Sequence, residues 1–182
     1  MNKTIPTNFD HLWSENRELQ NAGYYAILEL TNTVVDWSYD VWDQVLENLD
    51  HKDNHNRAIA AQVLCNLAKS DPKKRILKDF GVLLHVTKDE RFVTARHTLQ
   101  SLWKIGTVGE EQLQLLMDGL EARFQECINE KNGTLIRLDI QQGMRKLFDA
   151  TQDQNVKMKA LTLIETEQDI KYRKKYASIW KK

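Results

Sequence analysis

The sequence predicts an all-α protein, with helical hairpins stacked into a right-handed α-solenoid and a compact irregular helical bundle as the alternative. Three observations carry that prediction. The 182 residues hold only two prolines and seven glycines, too few turn formers for a many-turned β protein. Apolar residues recur at i, i+3, i+4 and i+7 along almost the whole chain, the period of an amphipathic helix. One short pattern also occurs twice, as DNHNRAIAAQVLCNLAKSD at 53–71 and as DQNVKMKALTLIE at 153–165. Each copy runs from an acidic residue to a basic one four positions on, then into small and aliphatic positions.

The elements follow in order. Two helices are expected within 8–35. Trp42, Val45, Leu46 and Leu49 place the next over 38–51, and Ala60, Val63, Leu64, Leu67 and Ala68 place one over 54–69. Ile76, Leu77, Phe80, Leu83 and Leu84 predict 72–87, with Asp71 as N-cap and Pro72 at the first helical position. A helix over 90–105 carries Ala95, Leu99 and Leu102. The longest stripe, Leu113, Leu116, Met117, Leu120, Phe124, Cys127 and Ile128, predicts 110–131. Ile136, Ile140, Met144, Leu147 and Phe148 predict 134–150, Ala160, Leu163 and Ile164 predict 154–168, and a basic segment covers 170–181. The breaks between stripes are short and polar (HKDN, KSDP, TKDE, GTVG, EKNG, TQDQN), which makes neighbouring helices antiparallel. No linker divides the chain. It reads as a single repeat domain over 1–182, with 1–37 an N-terminal helical cap, 38–169 the repeats and 170–182 a C-terminal capping helix.

A slide of 35 residues brings Ala60, Leu64 and Leu67 onto Ala95, Leu99 and Leu102, and a further 45 brings these onto Ile140, Met144 and Leu147. The unit is therefore a helical hairpin of about 35–45 residues. One hairpin cannot bury its apolar face alone, and stacking equivalents solves that problem repeatedly. Asp53–Arg57–Ala60/Ala61–Leu64 and Asp153–Lys157–Ala160–Ile164 resemble the opening of the second helix in HEAT repeats and their armadillo-like relatives. The middle copies depart from the pattern, with Phe92 in the basic position and Arg137 lacking the preceding Asp. The resemblance implies an Asp/Arg ladder tying neighbouring repeats and a concave face lined by second helices.

Composition points to a soluble globular protein, with 41% hydrophobic and 29% charged residues. Formal net charge is zero, so global electrostatics favours neither nucleic acid nor an anionic membrane. The charge is polarised, with a net of −5 over residues 1–70 and +5 over 71–182. Cys65 and Cys127 lie in apolar stripes and read as buried free thiols of a reducing compartment. With no secretory signal at the N-terminus and no apolar run of spanning length, a cytoplasmic location is expected and no membrane partner.

Arg57 and Lys157 read as i, i+4 partners of Asp53 and Asp153. Arg96, Gln100 and Lys104, and again Arg137, Gln141 and Arg145, recur at spacing four on two second helices. If both rows line a concave face they would suit a polyanion or an acidic partner surface, and they are the candidate binding residues. Trp103, beside Lys104, aligns with Ala68 of the apolar stripe and reads as core. In DIKYRKKYASIWKK the aromatics fall on one helical stripe and the cations mostly off it, the pattern of a terminal cap. His51, Asp53 and His55 straddle a predicted turn without a supporting Cys or Glu cluster, which does not make a metal site.

Neither a nucleophile motif nor a Gly-rich phosphate loop is present, and no cofactor is implied. The leading expectation is a non-catalytic scaffold that binds a protein or peptide on its concave face. One alternative is a nucleic-acid-binding protein resembling HEAT-like alkylpurine DNA glycosylases, with Trp103, Arg96 and Arg145 the neighbourhood concerned. A second is a ligand-handling protein using the N-terminal aromatics Trp13, Tyr24, Tyr25, Trp37, Tyr39 and Trp42.

Overall fold

A computed structural model describes residues 5–181, and every regular element among them is helical. Thr7–Trp13 winds as a 3-10 segment. It is followed by α1 (Arg17–Leu30), α2 (Ser38–Asn48), α3 (Asn54–Leu67), α4 (Ile76–His85), α5 (Phe92–Leu99), α6 (Glu110–Glu126), α7 (Gly133–Thr151), α8 (Gln154–Glu165) and α9 (Ile170–Ile179). Short polar side chains start several of them. Asn16, Asp53, Asp153 and Asp169 each accept backbone N–H groups of the first turn that have no partner within the helix. Such a cap contributes about 1 kcal/mol.

Several helices end a few residues short of expectation, and three departures go further. Within 8–35 there is one α-helix, because the chain leaves the 3-10 segment extended at Ser14 before Asn16 caps α1. Pro72 does not open a helix. It lies in a turn, Lys74 takes a left-handed φ of 54°, and α4 begins at Ile76, whose N–H donates to Asp71 Oδ2 at 2.7 Å. Over 90–105, α5 stops at Leu99 and a 3-10 segment, Leu102–Thr107, takes over. Gly106 lets that segment lie close: a Cβ there would sit 2.9 Å from side-chain carbons of both Leu116 and Leu147.

The described residues form two compact units that divide between Thr98 and Leu99. In the first, α1, α3 and α5 make one layer. Asn66 donates to Thr31 Oγ1 at 3.0 Å, and Thr94 Oγ1 donates to the Asn54 carbonyl at 3.2 Å. α2 and α4 make the other, where the buried Trp42 indole donates to Asp79 Oδ2 at 2.8 Å. The apolar stripes meet between these layers, with Ile27, Val45, Leu64, Leu67, Ile76 and Leu83 wholly withdrawn from solvent. Phe9 and Leu12 of the 3-10 segment are buried as well, and that segment packs on α1.

The second unit repeats the two-layer logic. α7 and α9 form one layer, joined by the Trp180 indole donating to Gln141 Oε1 at 2.9 Å and by the Tyr176 hydroxyl donating to the Thr134 carbonyl at 2.7 Å. α6 and α8 form the other, linked by Lys159 Nζ to Glu121 Oε2 at 2.5 Å. Leu116, Phe124, Ile140, Met144, Leu147 and Ala160 are buried between them. α8 is therefore the first helix of its hairpin, although Asp153–Lys157–Ala160–Ile164 echoes the second-helix pattern of α3. The echo is a capped amphipathic helix, which either layer can use. In α9 the aromatic stripe turns inward at Tyr176 and Trp180 while Lys171, Lys174 and Lys175 stay exposed.

Candidate functional site

Charged side chains first tie one repeat to the next. Arg17 of α1 reaches the α3 cap, with Nη2 2.6 Å from Asp53 Oδ2. Arg57 of α3 reaches Asp89, in the turn that leads into α5, with Nε 2.5 Å from Asp89 Oδ2, while Asp89 also accepts the Arg91 N–H. In the second unit, Arg137 Nη1 of α7 lies 2.9 Å from Glu167 Oε2, just before α9. Arg57 thus pairs across to the next repeat rather than with Asp53 at i, i+4. Lys157 does not pair with Asp153 either, and sits over the Phe148 ring at 5.7 Å.

The acids of these rungs hold their charge firmly. Burial works against ionisation of Asp89, but Arg57 and the Arg91 N–H outweigh it and hold the carboxyl below its ordinary range. Burial likewise opposes ionisation of Glu167, and the Asp169 N–H with Arg137 more than offsets it. Tyr176 beside Glu167 moves the other way, pushed far up by burial and by the neighbouring negative charge.

This arrangement revises the predicted binding rows. Arg137 and Gln141 are buried and committed to the interior. Arg137 Nε donates to the Phe124 carbonyl at 2.8 Å and its guanidinium lies 4.6 Å from the Phe124 ring centroid. Gln141 donates to the Ala160 carbonyl at 3.1 Å and accepts from Trp180. α7 is so thoroughly enclosed that it buries polar positions too, and a spacing of four does not mark an exposed row there. Gln100 and Lys104 lie past the end of α5, so Arg96, Gln100 and Lys104 do not share one α-helical face. Gln100 Nε2 donates to Asp139 Oδ1 at 3.1 Å, and the Arg96 guanidinium lies 5.7 Å from the Phe92 ring centroid. Arg145 pairs with Asp149 at 2.7 Å and stacks 5.6 Å from both Phe148 and Trp180. Trp103 is half-buried in the 3-10 segment.

The open surface lies elsewhere. In the first unit, α1, α3 and α5 carry a groove of about 330 Å³. Tyr24 and Tyr25 contribute an edge-to-face pair with ring centroids 5.1 Å apart, and the Tyr24 hydroxyl donates to Gln62 Oε1 at 2.7 Å. Burial and the neighbouring Tyr25 raise the Tyr24 hydroxyl's pKa, so it stays protonated as a donor at neutral pH. α3 supplies Asn54, His55, Ala58, Ile59 and Gln62, and α5 supplies Val93 and His97. Tyr25 is 69% exposed and Val93 54%. No Asp, Glu, Lys or Arg lines the groove, and neither does a Ser or Cys. It offers apolar contact, amide hydrogen bonding and the imidazoles of His55 and His97.

Of the six N-terminal aromatics, then, Tyr24 and Tyr25 line a groove while Trp37 and Trp42 fill the core. Val93, Asn54 and His97 gave no signal in the sequence, since nothing there marks which exposed positions of three helices converge. His51 and His55 serve the α3 cap: His51 Nδ1 accepts the Asp53 N–H at 3.0 Å, and His55 Nδ1 lies 3.0 Å from Asp53 Oδ1. Among the described residues no three His, Cys, Asp or Glu side chains form a metal-sized cluster. No helix there is long and apolar enough to cross a membrane.

No family model and no curated protein matches the sequence. Among solved structures, the chain is similar to a designed armadillo repeat protein in complex with the peptide (KR)4. Identity is 12%, the match covers 97% of this chain and 87% of that one, and the TM-score is 0.51. The fold is armadillo-like. An engineered protein known from its crystal structure is similar to the same degree, at 14% identity over 96% of this chain and 79% of that one, with a TM-score of 0.51. This likeness establishes the helical-repeat class that the apolar periodicity predicts, in place of an irregular bundle.

Proposed function

We propose that this armadillo-like chain is a non-catalytic binding module that holds an extended peptide segment of a partner protein in the groove of α1, α3 and α5. The observation that carries the reading is the pairing of exposed apolar surface, at Tyr25 and Val93, with the amides of Asn21 and Asn54 in one groove. An extended peptide presents alternating side chains and unpaired backbone N–H and C=O groups, and those two kinds of surface match it. Rigid tyrosines supply contact area at small entropic cost. A similar fold seen with a bound peptide supports the same reading. That peptide is (KR)4, whereas this groove has no carboxylate to attract cations. Its occupant is a neutral or apolar segment.

The Arg17–Asp53, Arg57–Asp89 and Arg137–Glu167 rungs fit the HEAT-like branch of this architecture that the sequence resembles. A cytoplasmic setting fits the two buried free thiols, Cys65 and Cys127.

Panning a random-dodecapeptide phage library and measuring the selected synthetic peptides by calorimetry tests the proposal. Tyr25→Ser and Val93→Asp should each weaken binding at least tenfold while leaving the thermal midpoint nearly unchanged. Selected peptides whose affinity ignores both substitutions would exclude this groove.

A further inference from the structure

The exposed face of α9 lies outside the groove and has its own chemistry. From Ile170 to Lys182 the chain holds six Lys or Arg and no Asp or Glu. Lys171, Lys174, Lys175 and Lys181 are exposed. Arg173 is spent internally, donating through Nε and Nη2 to the Glu167 carbonyl at 2.8 and 2.6 Å. Of the acids nearby, Glu167 is committed to Arg137, and Asp169 caps the helix by accepting the Lys171 and Tyr172 N–H groups. No carboxylate lies within ion-pair distance of the four exposed lysines among the described residues.

We propose that this lysine face docks on the phosphate backbone of duplex nucleic acid, without reading its sequence. Charge complementarity selects an anion, and the disposition of the aromatics selects which kind. Tyr176 and Trp180 are buried and Tyr172 is half-buried beneath Lys175, whose Nζ sits 5.5 Å from its ring. The face therefore lacks the desolvated aromatic centre that anchors protein interfaces, from which lysine is depleted. It also lacks an apolar stripe to insert among lipid chains, because the apolar stripe of α9 already faces α7. Compact, hydrated ammonium groups on one face are sufficient for phosphates, where release of condensed counterions drives association. With no side chain placed to reach a base edge, such contacts position a duplex but do not specify sequence.

Four phosphate contacts give a slope of log affinity on log salt of about −3 to −4, or roughly a hundredfold loss between 50 and 200 mM salt. The test is fluorescence anisotropy of the full chain with labelled 20-base-pair DNA duplexes of two unrelated sequences across that range. Equal affinity for both duplexes with that slope is expected. Lys174→Gln with Lys175→Gln should cut the slope by about 2, while Lys52→Gln with Lys78→Gln, exposed lysines of the first unit, should leave it unchanged. Absence of saturable binding at 50 mM salt would overturn the proposal. So would a slope indifferent to the Lys174/Lys175 change, or equal binding to poly-glutamate or to phosphatidylserine vesicles of matched charge.

Discussion

Arg137 and Glu167 face each other at 2.9 Å with side chains 5% and 4% exposed, so the interior of the second unit contains a full ion pair. Further hydrogen bonds hold both partners: Arg137 donates through Nε to the Phe124 carbonyl, and Glu167 Oε1 accepts the Asp169 N–H. A buried pair of this kind adds little against an apolar alternative, but removing one partner strands the other charge. Arg137→Met should therefore cost about 3–5 kcal/mol in urea unfolding. Replacing both residues by apolar ones of similar volume should recover most of that loss. A single substitution with wild-type stability would show that the pair is not closed in solution.

The rungs of the first unit differ in burial and should differ in worth. Arg57 and Asp89 side chains are 14% and 4% exposed, against 48% and 30% for Arg17 and Asp53. Arg57→Ala should destabilise by several kcal/mol, whereas Arg17→Ala should cost less than about 1 kcal/mol. Thermal midpoints of the two variants, measured side by side, check the order.

Acid should loosen both units through the same carboxylates. The folded-state pKa values of Asp89 and Glu167 are depressed, so each contributes stability that is fully present above its unfolded value, near 4. That contribution is lost as pH falls through the depressed folded value. Urea midpoints should be flat from about pH 7 to 5 and fall below about pH 4. Asp89→Asn should make the acid limb shallower.

Close packing at Gly106 makes a further prediction. A Cβ there would press on Leu116 and Leu147, two residues with no access to solvent. Gly106→Val should destabilise by about 1–3 kcal/mol through overpacking, whereas Gly81→Ala, where a Cβ meets nothing within 4 Å, should not destabilise.

The helices were legible because an apolar stripe is a local property: Leu113 through Phe124 and Ile136 through Phe148 mark α6 and α7, although the stripe's continuation to Ile128 runs past the end of α6 at Glu126. Pairing between helices was not. Arg57 has an acid four residues before it and another thirty-two after it, and only the packed layers decide that Asp89 is the partner. The same limit misled the reading of Arg137 and Gln141, since a polar residue at helical spacing reads as surface until the neighbouring helix covers it. Tyr24 and Tyr25 could be noticed as aromatics, but their convergence with Val93 depends on three helices lying in one layer.

The measurement that bears most directly on the central claim is a ¹⁵N NMR titration of the full chain with a peptide selected from the dodecapeptide library. The groove reading predicts saturable amide shifts concentrated at Tyr24, Tyr25, Asn54, Ile59, Val93 and His97, with α6 to α9 silent. Shifts confined to those later helices, or scattered without saturation, would contradict it.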